Sequence, residues 1–164
     1  MDRRVIGLLA ASGILAVVVI VILVGRSGDS GSNSTSKAAI KVPNGPEVQI
    51  PSGAAPATLV KKDLKVGDGP EAKSGDQISV QYIGALYDNG VKFDSSYDHG
   101  QPFSFKLGAG NVIPGWDQGV AGMKVGGRRE LIIPPDLAYG AQGQPPTIPA
   151  NATLVFVIDL VSVG

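Results

Sequence analysis

Hydrophobic and polar positions change their pattern sharply along this chain. Val5–Val24 runs for twenty residues without a charge. As a helix it would be roughly 30 Å long, the thickness of a hydrocarbon core. A buried core helix of that length normally keeps a polar face, and this stretch has none. A cleaved signal peptide is the competing reading, but its apolar region is usually only about 7–15 residues long and ends in a small-residue site. Here the run ends Leu23-Val24-Gly25-Arg26. Residues 1–25 therefore read as an uncleaved transmembrane anchor, with a signal sequence as the alternative. Arg3 and Arg4 put the N-terminus in the cytoplasm and the rest of the chain outside it; Arg26, Lys37 and Lys41 blunt that asymmetry. Residues 26–45 are dominated by Ser, Gly and Asn and read as a flexible tether, about 25 Å root-mean-square in reach.

From residue 46 the pattern becomes that of strands. Val48 and Ile50 alternate with polar residues and prolines follow, which predicts an extended segment leaning on a domain edge. Leu59–Val66 and Gln77–Tyr87 alternate as strands. Asp88-Asn89-Gly90 is a hairpin turn, since Asn-Gly suits positive φ at adjacent positions. Val91–Phe93 returns, and Phe103, Phe105 and Leu107 share a face at period two. Arg128–Ile133 and Thr153–Val163 are further strands, separated by a long loop, Asp136–Ala150. Between them, Val112–Met123 switches to helical spacing: Pro114 suits the first turn, and Trp116, Val120 and Met123 form one stripe. Gly115, Gly119 and Gly122 weaken that helix by about 1 kcal/mol each against alanine, so close approach to a curved sheet is expected. One short helix among strands makes an α+β domain with an antiparallel sheet, over residues 46–164.

Composition narrows the chemistry. The 14 basic and 14 acidic side chains cancel, leaving no basic excess to hold nucleic acid. No cysteine is present and His99 is the one histidine. Disulfides, thiolate chemistry, His-rich metal sites and an ordinary Ser-His-Asp triad are thereby excluded, and no cofactor is implied. Nearly every aromatic lies in the strand-rich part, and several stand beside loops. Aromatics on strand faces ordinarily fill a core; their excess here points to an apolar pocket. Its candidate residues are Tyr82, Phe93, Phe103, Val112, Ile113, Trp116, Tyr139 and Phe156, with Asp94 at a strand end beside them.

Five motifs in order carry a resemblance: F-D-S-S (93–96), V-I-P-G-W (112–116), G-V-A-G-M-K-V-G (119–126), P-P-D-L-A-Y-G (134–140) and A-T-L-V-F (152–156). Together the stretch from about Pro56 to Gly164 resembles an FKBP-type peptidyl-prolyl cis–trans isomerase, the macrolide-binding immunophilin class. The resemblance implies an antiparallel half-barrel wrapped around the helix, with the pocket between them. It implies Trp116 as pocket floor and Tyr82, Phe93, Phe103 and Phe156 as walls. The Ile113 N–H and the Tyr139 hydroxyl would meet carbonyls of a bound peptide or macrolide. Asp94 would accept a hydrogen bond near Tyr82, Val112 would complete the rim, and Ile148 is kept. The catalytic set implied is Tyr82, Phe93, Asp94, Trp116, Tyr139 and Phe156, with Phe103, Val112, Ile113 and Ile148 binding substrate. Departures fall in the rim loops: Gln144 stands where members often carry His, Thr147 where they often carry an aliphatic residue, and Tyr97–Gly100 differs from members with basic residues there.

The expected function is isomerisation of X-Pro bonds in proline-containing polypeptides by a membrane-tethered, extracytoplasmic enzyme, with macrolides such as tacrolimus or rapamycin as further ligands. The alternative is a non-catalytic module at the membrane that clamps a proline peptide or macrolide. No general acid or base is assigned. His99 reads as a loop residue, so the rate is expected to vary little between about pH 6 and 8.

Overall fold

The computed structural model describes residues 36–164. The anchor reading of residues 5–24 and the first half of the tether lie outside them. Among the described residues no helix is long and apolar enough to cross a membrane.

The sheet is assembled on β4 (Gln77–Leu86), whose two edges are both occupied. One edge pairs along its whole length with β8 (Leu154–Val163). The other is shared: β6 (Phe103–Lys106) pairs with its first half and β5 (Lys92–Ser95) with its second. Beyond β8 come β7 (Arg128–Ile133) and then β3 (Val60–Lys65), and every pairing is antiparallel. Alternation decides what each face buries. Ile78 and Val80, with Leu131, Ile133, Leu154, Phe156, Ile158 and Leu160, face the helix and form the main core. The intervening Ile83, Ala85, Ile132, Val155 and Val157 are apolar too, and must be covered from behind.

The helix on the first face is α2 (Pro114–Val120), with Pro114 at its first position and Ile113 as N-cap. It is shorter than the expected 112–123, because Gly122 turns the chain at φ +83°. Met123 is still buried beyond that end, so the stripe of Trp116, Val120 and Met123 packs as expected. The glycines divide by role. A Cβ on Gly115 would lie 2.4 Å from Ile133 Cγ2, and one on Gly119 2.6 Å from Leu131 Cδ1. These two let the helix settle onto β7; Gly122 serves the turn. At the other hairpin only Gly90 takes positive φ, and its N–H donates to the Leu86 carbonyl.

Two segments depart from the sequence reading. Ser96–His99, read as loop, is a one-turn helix, α1, with the Ser95 hydroxyl capping the Tyr97 N–H. More consequentially, residues 36–45, read as tether, fold. Strand β1 (Ser36–Ile40) pairs with β2 (Val48–Pro51) around Asn44, which sits at φ +62°. Val42, Val48 and Ile50 are buried against Ile83, Val155 and Val157. This hairpin lies on the back of the sheet, not at an edge, and supplies the cover that face requires.

Candidate active site

The cavity sits where α2 faces the concave sheet, and encloses about 290 Å³ lined by Tyr82, Phe93, Asp94, Phe103, Asn111, Val112, Ile113, Trp116, Tyr139 and Phe156. Nine of these are sequence candidates; Asn111 is the addition. Trp116 is only 4% exposed, yet its ring lines the opening. Around it Tyr82 and Phe156 stand edge-on, with centroids 5.1 and 5.2 Å away, and Phe103 lies 6.2 Å away. Phe93 meets Phe156 edge-on at 5.5 Å. Such pairs add about 0.5–1.5 kcal/mol each beyond the area they bury, so the walls are held by one another. Backbone makes room for them: a Cβ on Gly84 would stand 2.6 Å from Phe156 Cε1 and 2.8 Å from Phe93 Cζ. Gly84 was readable only as a strand residue, because nothing local marks the two rings above it.

Polar groups are few and placed. The Tyr82 hydroxyl donates to Asp94 Oδ2 at 2.5 Å, and the Ser95 N–H donates to Oδ1 at 2.8 Å. Burial pushes the Tyr82 phenol well above its ordinary range, and the neighbouring Asp94 adds to the effect. Burial also raises Tyr139, helped by Asp94. Both phenols therefore stay protonated donors across the physiological range. Neither the Tyr139 hydroxyl nor the Ile113 N–H has a hydrogen-bond partner among the described residues. The cavity thus combines a greasy interior with two unspent donors at its rim. The Trp116 indole N–H is buried without a partner as well, at a cost of about 1–3 kcal/mol.

Ile148 departs from its expected place. It is 3% exposed, packed into the main core, and borders a separate hollow of about 240 Å³ with Gln144, Pro145 and Thr147. The cause is local: the Gln144 N–H donates to the Ile148 carbonyl, folding the loop back and tucking the side chain inward. That hollow adjoins the cavity through Phe93, Asp94 and Tyr139. His99 is also more than a loop residue, since its Nε2 lies 3.2 Å from Asp94 Oδ1. Asp117, not singled out in the sequence, accepts from the N–H groups of Gly108 and Gly110 and so fixes the loop entering α2. Its signal was an acid in the first helical turn after a glycine-rich loop.

A family model of the FKBP-type peptidyl-prolyl cis-trans isomerases matches residues 69–161. The chain belongs to this family. As an FKBP-type isomerase it matches two shorter bacterial relatives almost from end to end. It is 56% identical over 119 residues to the "FK506-binding protein" of Streptomyces anulatus, covering 72% of this chain and 96% of that protein. It is 47% identical over 117 residues to the "Probable FK506-binding protein" of Corynebacterium glutamicum, covering 71% and 97%. The crystal structure of AtFKBP13 is similar at a TM-score of 0.62 and 42% identity, over 67% of this chain and 96% of that one. The family match begins at residue 69, so the β1–β2 hairpin lies outside it.

Proposed function

We propose that this peptidyl-prolyl isomerase works in the aromatic cavity over Trp116, on X-Pro bonds of polypeptides, by desolvation and orientation. Rotating an amide crosses a barrier of about 18–20 kcal/mol, slow enough to limit folding. In the twisted state resonance is lost and the carbonyl carries less charge than in the planar amide. A dry, apolar cavity therefore favours the twisted form relative to the planar one. Trp116, Phe156, Phe93 and Phe103 would hold the proline ring. The Ile113 N–H and the Tyr139 hydroxyl would orient flanking carbonyls, while Asp94 positions Tyr82. The observation that carries this reading is the coincidence of two unpaired donors with one apolar cavity. The same features suit a macrolide such as FK506, the ligand in the relatives' names. Val112 completes the rim, and Ile148 would act from the adjoining hollow.

A proline-peptide isomerisation assay on the full chain tests it. Trp116→Leu and Phe156→Leu should each lose at least about tenfold in kcat/KM. Normal turnover in both would remove the cavity from the reaction. No turnover in the intact chain, with peptide still bound, would favour the non-catalytic clamp.

For location, the proposal is a single-pass anchor over residues 5–24 that leaves the domain outside the cytoplasm. The uncharged run and Arg3-Arg4 support it. Protease added to intact cells should digest the domain; full protection would overturn this. A shortened chain recovered from the medium would establish the cleaved-signal alternative.

A further inference from the structure

We propose that His99 sets the charge preference of this isomerase for the residue beside the proline. The inference rests on the cavity being the isomerase site. A second hollow of about 140 Å³, lined by Tyr82, Ser96, His99, Gln101, Pro102 and Phe103, opens beside the main cavity. Tyr82 and Phe103 line both. A peptide with its proline over Trp116 therefore has room for a neighbouring side chain between Phe103 and His99. The hollow's floor is polar and fixed: the Ser96 hydroxyl accepts from the Tyr82 N–H at 2.8 Å.

His99 Nε2 stands 3.2 Å from Asp94 Oδ1, at the seam of the two spaces. A carboxylate oxygen only accepts, so Nε2 must carry a proton there. Both the neutral Nε2–H ring and the imidazolium make that bond. Protonating the other nitrogen leaves the geometry alone and changes the pair from net −1 to net zero. Other ionisable groups facing this corner do not change charge in step. Asp98, on the same turn, is paired with Lys92 at 2.5 Å. Tyr82 and Tyr139 are phenols held neutral by burial. Histidine is the side-chain type that gains a charge between neutral and mildly acidic pH, so the His99–Asp94 pair is where this corner loses its negative charge toward a substrate. Both side chains are well exposed, at 63% and 43%, so the effect is small in size.

The test is a ratio. Tetrapeptides with blocked termini, carrying Glu or Lys immediately before proline, are assayed on the full chain from about pH 5.5 to 8, where neither peptide's side-chain charge changes appreciably. The Glu/Lys ratio of kcat/KM should rise about two- to fivefold as pH falls, the range of an exposed charge pair. In His99→Gln the ratio should stay flat at its high-pH value; in His99→Arg it should stay flat at its low-pH value. A pH-independent ratio in the unaltered chain, or an unchanged slope in His99→Gln, overturns the proposal. If no peptide turns over, the isomerase reading has failed separately. The same ratio is then taken from dissociation constants read by Trp116 fluorescence, and the same outcomes decide it.

Discussion

Removing a single oxygen is the gentlest probe of the cavity. Tyr139→Phe deletes a hydroxyl that has no partner within the described residues, so the fold should be indifferent to it. We expect kcat/KM to fall about two- to tenfold, the worth of one hydrogen bond, with an unchanged melting temperature. Gly84→Ala should do the reverse kind of harm. Its Cβ would strike Phe156 and Phe93 at 2.6 and 2.8 Å, and overpacking of this sort costs about 1–3 kcal/mol. Lower thermal stability and a raised KM together would show that the two rings had been displaced. Most of the site's aromatic residues were legible because each sits in a short motif of distinctive composition. Gly84 and Asn111 were not, for they belong to the site only through what the fold places over them.

At the scale of elements, α2 and the N-terminal hairpin behave oppositely. The helix was readable from Pro114 and a single stripe, and its packing glycines announced close contact. Gly119→Ala should therefore lower the melting temperature, as its Cβ meets Leu131. The hairpin was missed because Ser36–Ile40 is mostly small and polar, and a strand so short has no burial of its own. Its apolar members gain their cover from β2 and the sheet behind. One local sign was present: Asn44-Gly45 between Ile40-Lys41-Val42 and Val48-Gln49-Ile50 is hairpin chemistry. Ile50 is fully buried, so Ile50→Ala should cost about 2–5 kcal/mol. Because this core lies behind the sheet, peptide binding followed by Trp116 fluorescence at low temperature should be unaffected. A weakened affinity would mean that the two faces are coupled.

Across the whole molecule, the covered back face has a price in charge. Glu130 lies there, almost fully buried, between Lys62 and Val157 on neighbouring strands. Burial raises its carboxyl above the usual range, with Lys62 opposing only in part. The fold therefore favours the protonated acid. That contribution is complete below the ordinary carboxylate pKa and is lost as pH rises through the elevated value. At pH 7 Glu130 is a liability, so Glu130→Gln should raise the melting temperature at pH 7 and add nothing near pH 4, by calorimetry at both. The hairpin carries one more consequence, a mechanical one. Ser36 is paired with Pro51, so the strand's leading end and its route into the domain leave from the same side. A pull transmitted through Ser36 would act across the ribbon and peel its rungs singly, yielding under light load before the strands that frame the aromatic cavity are strained.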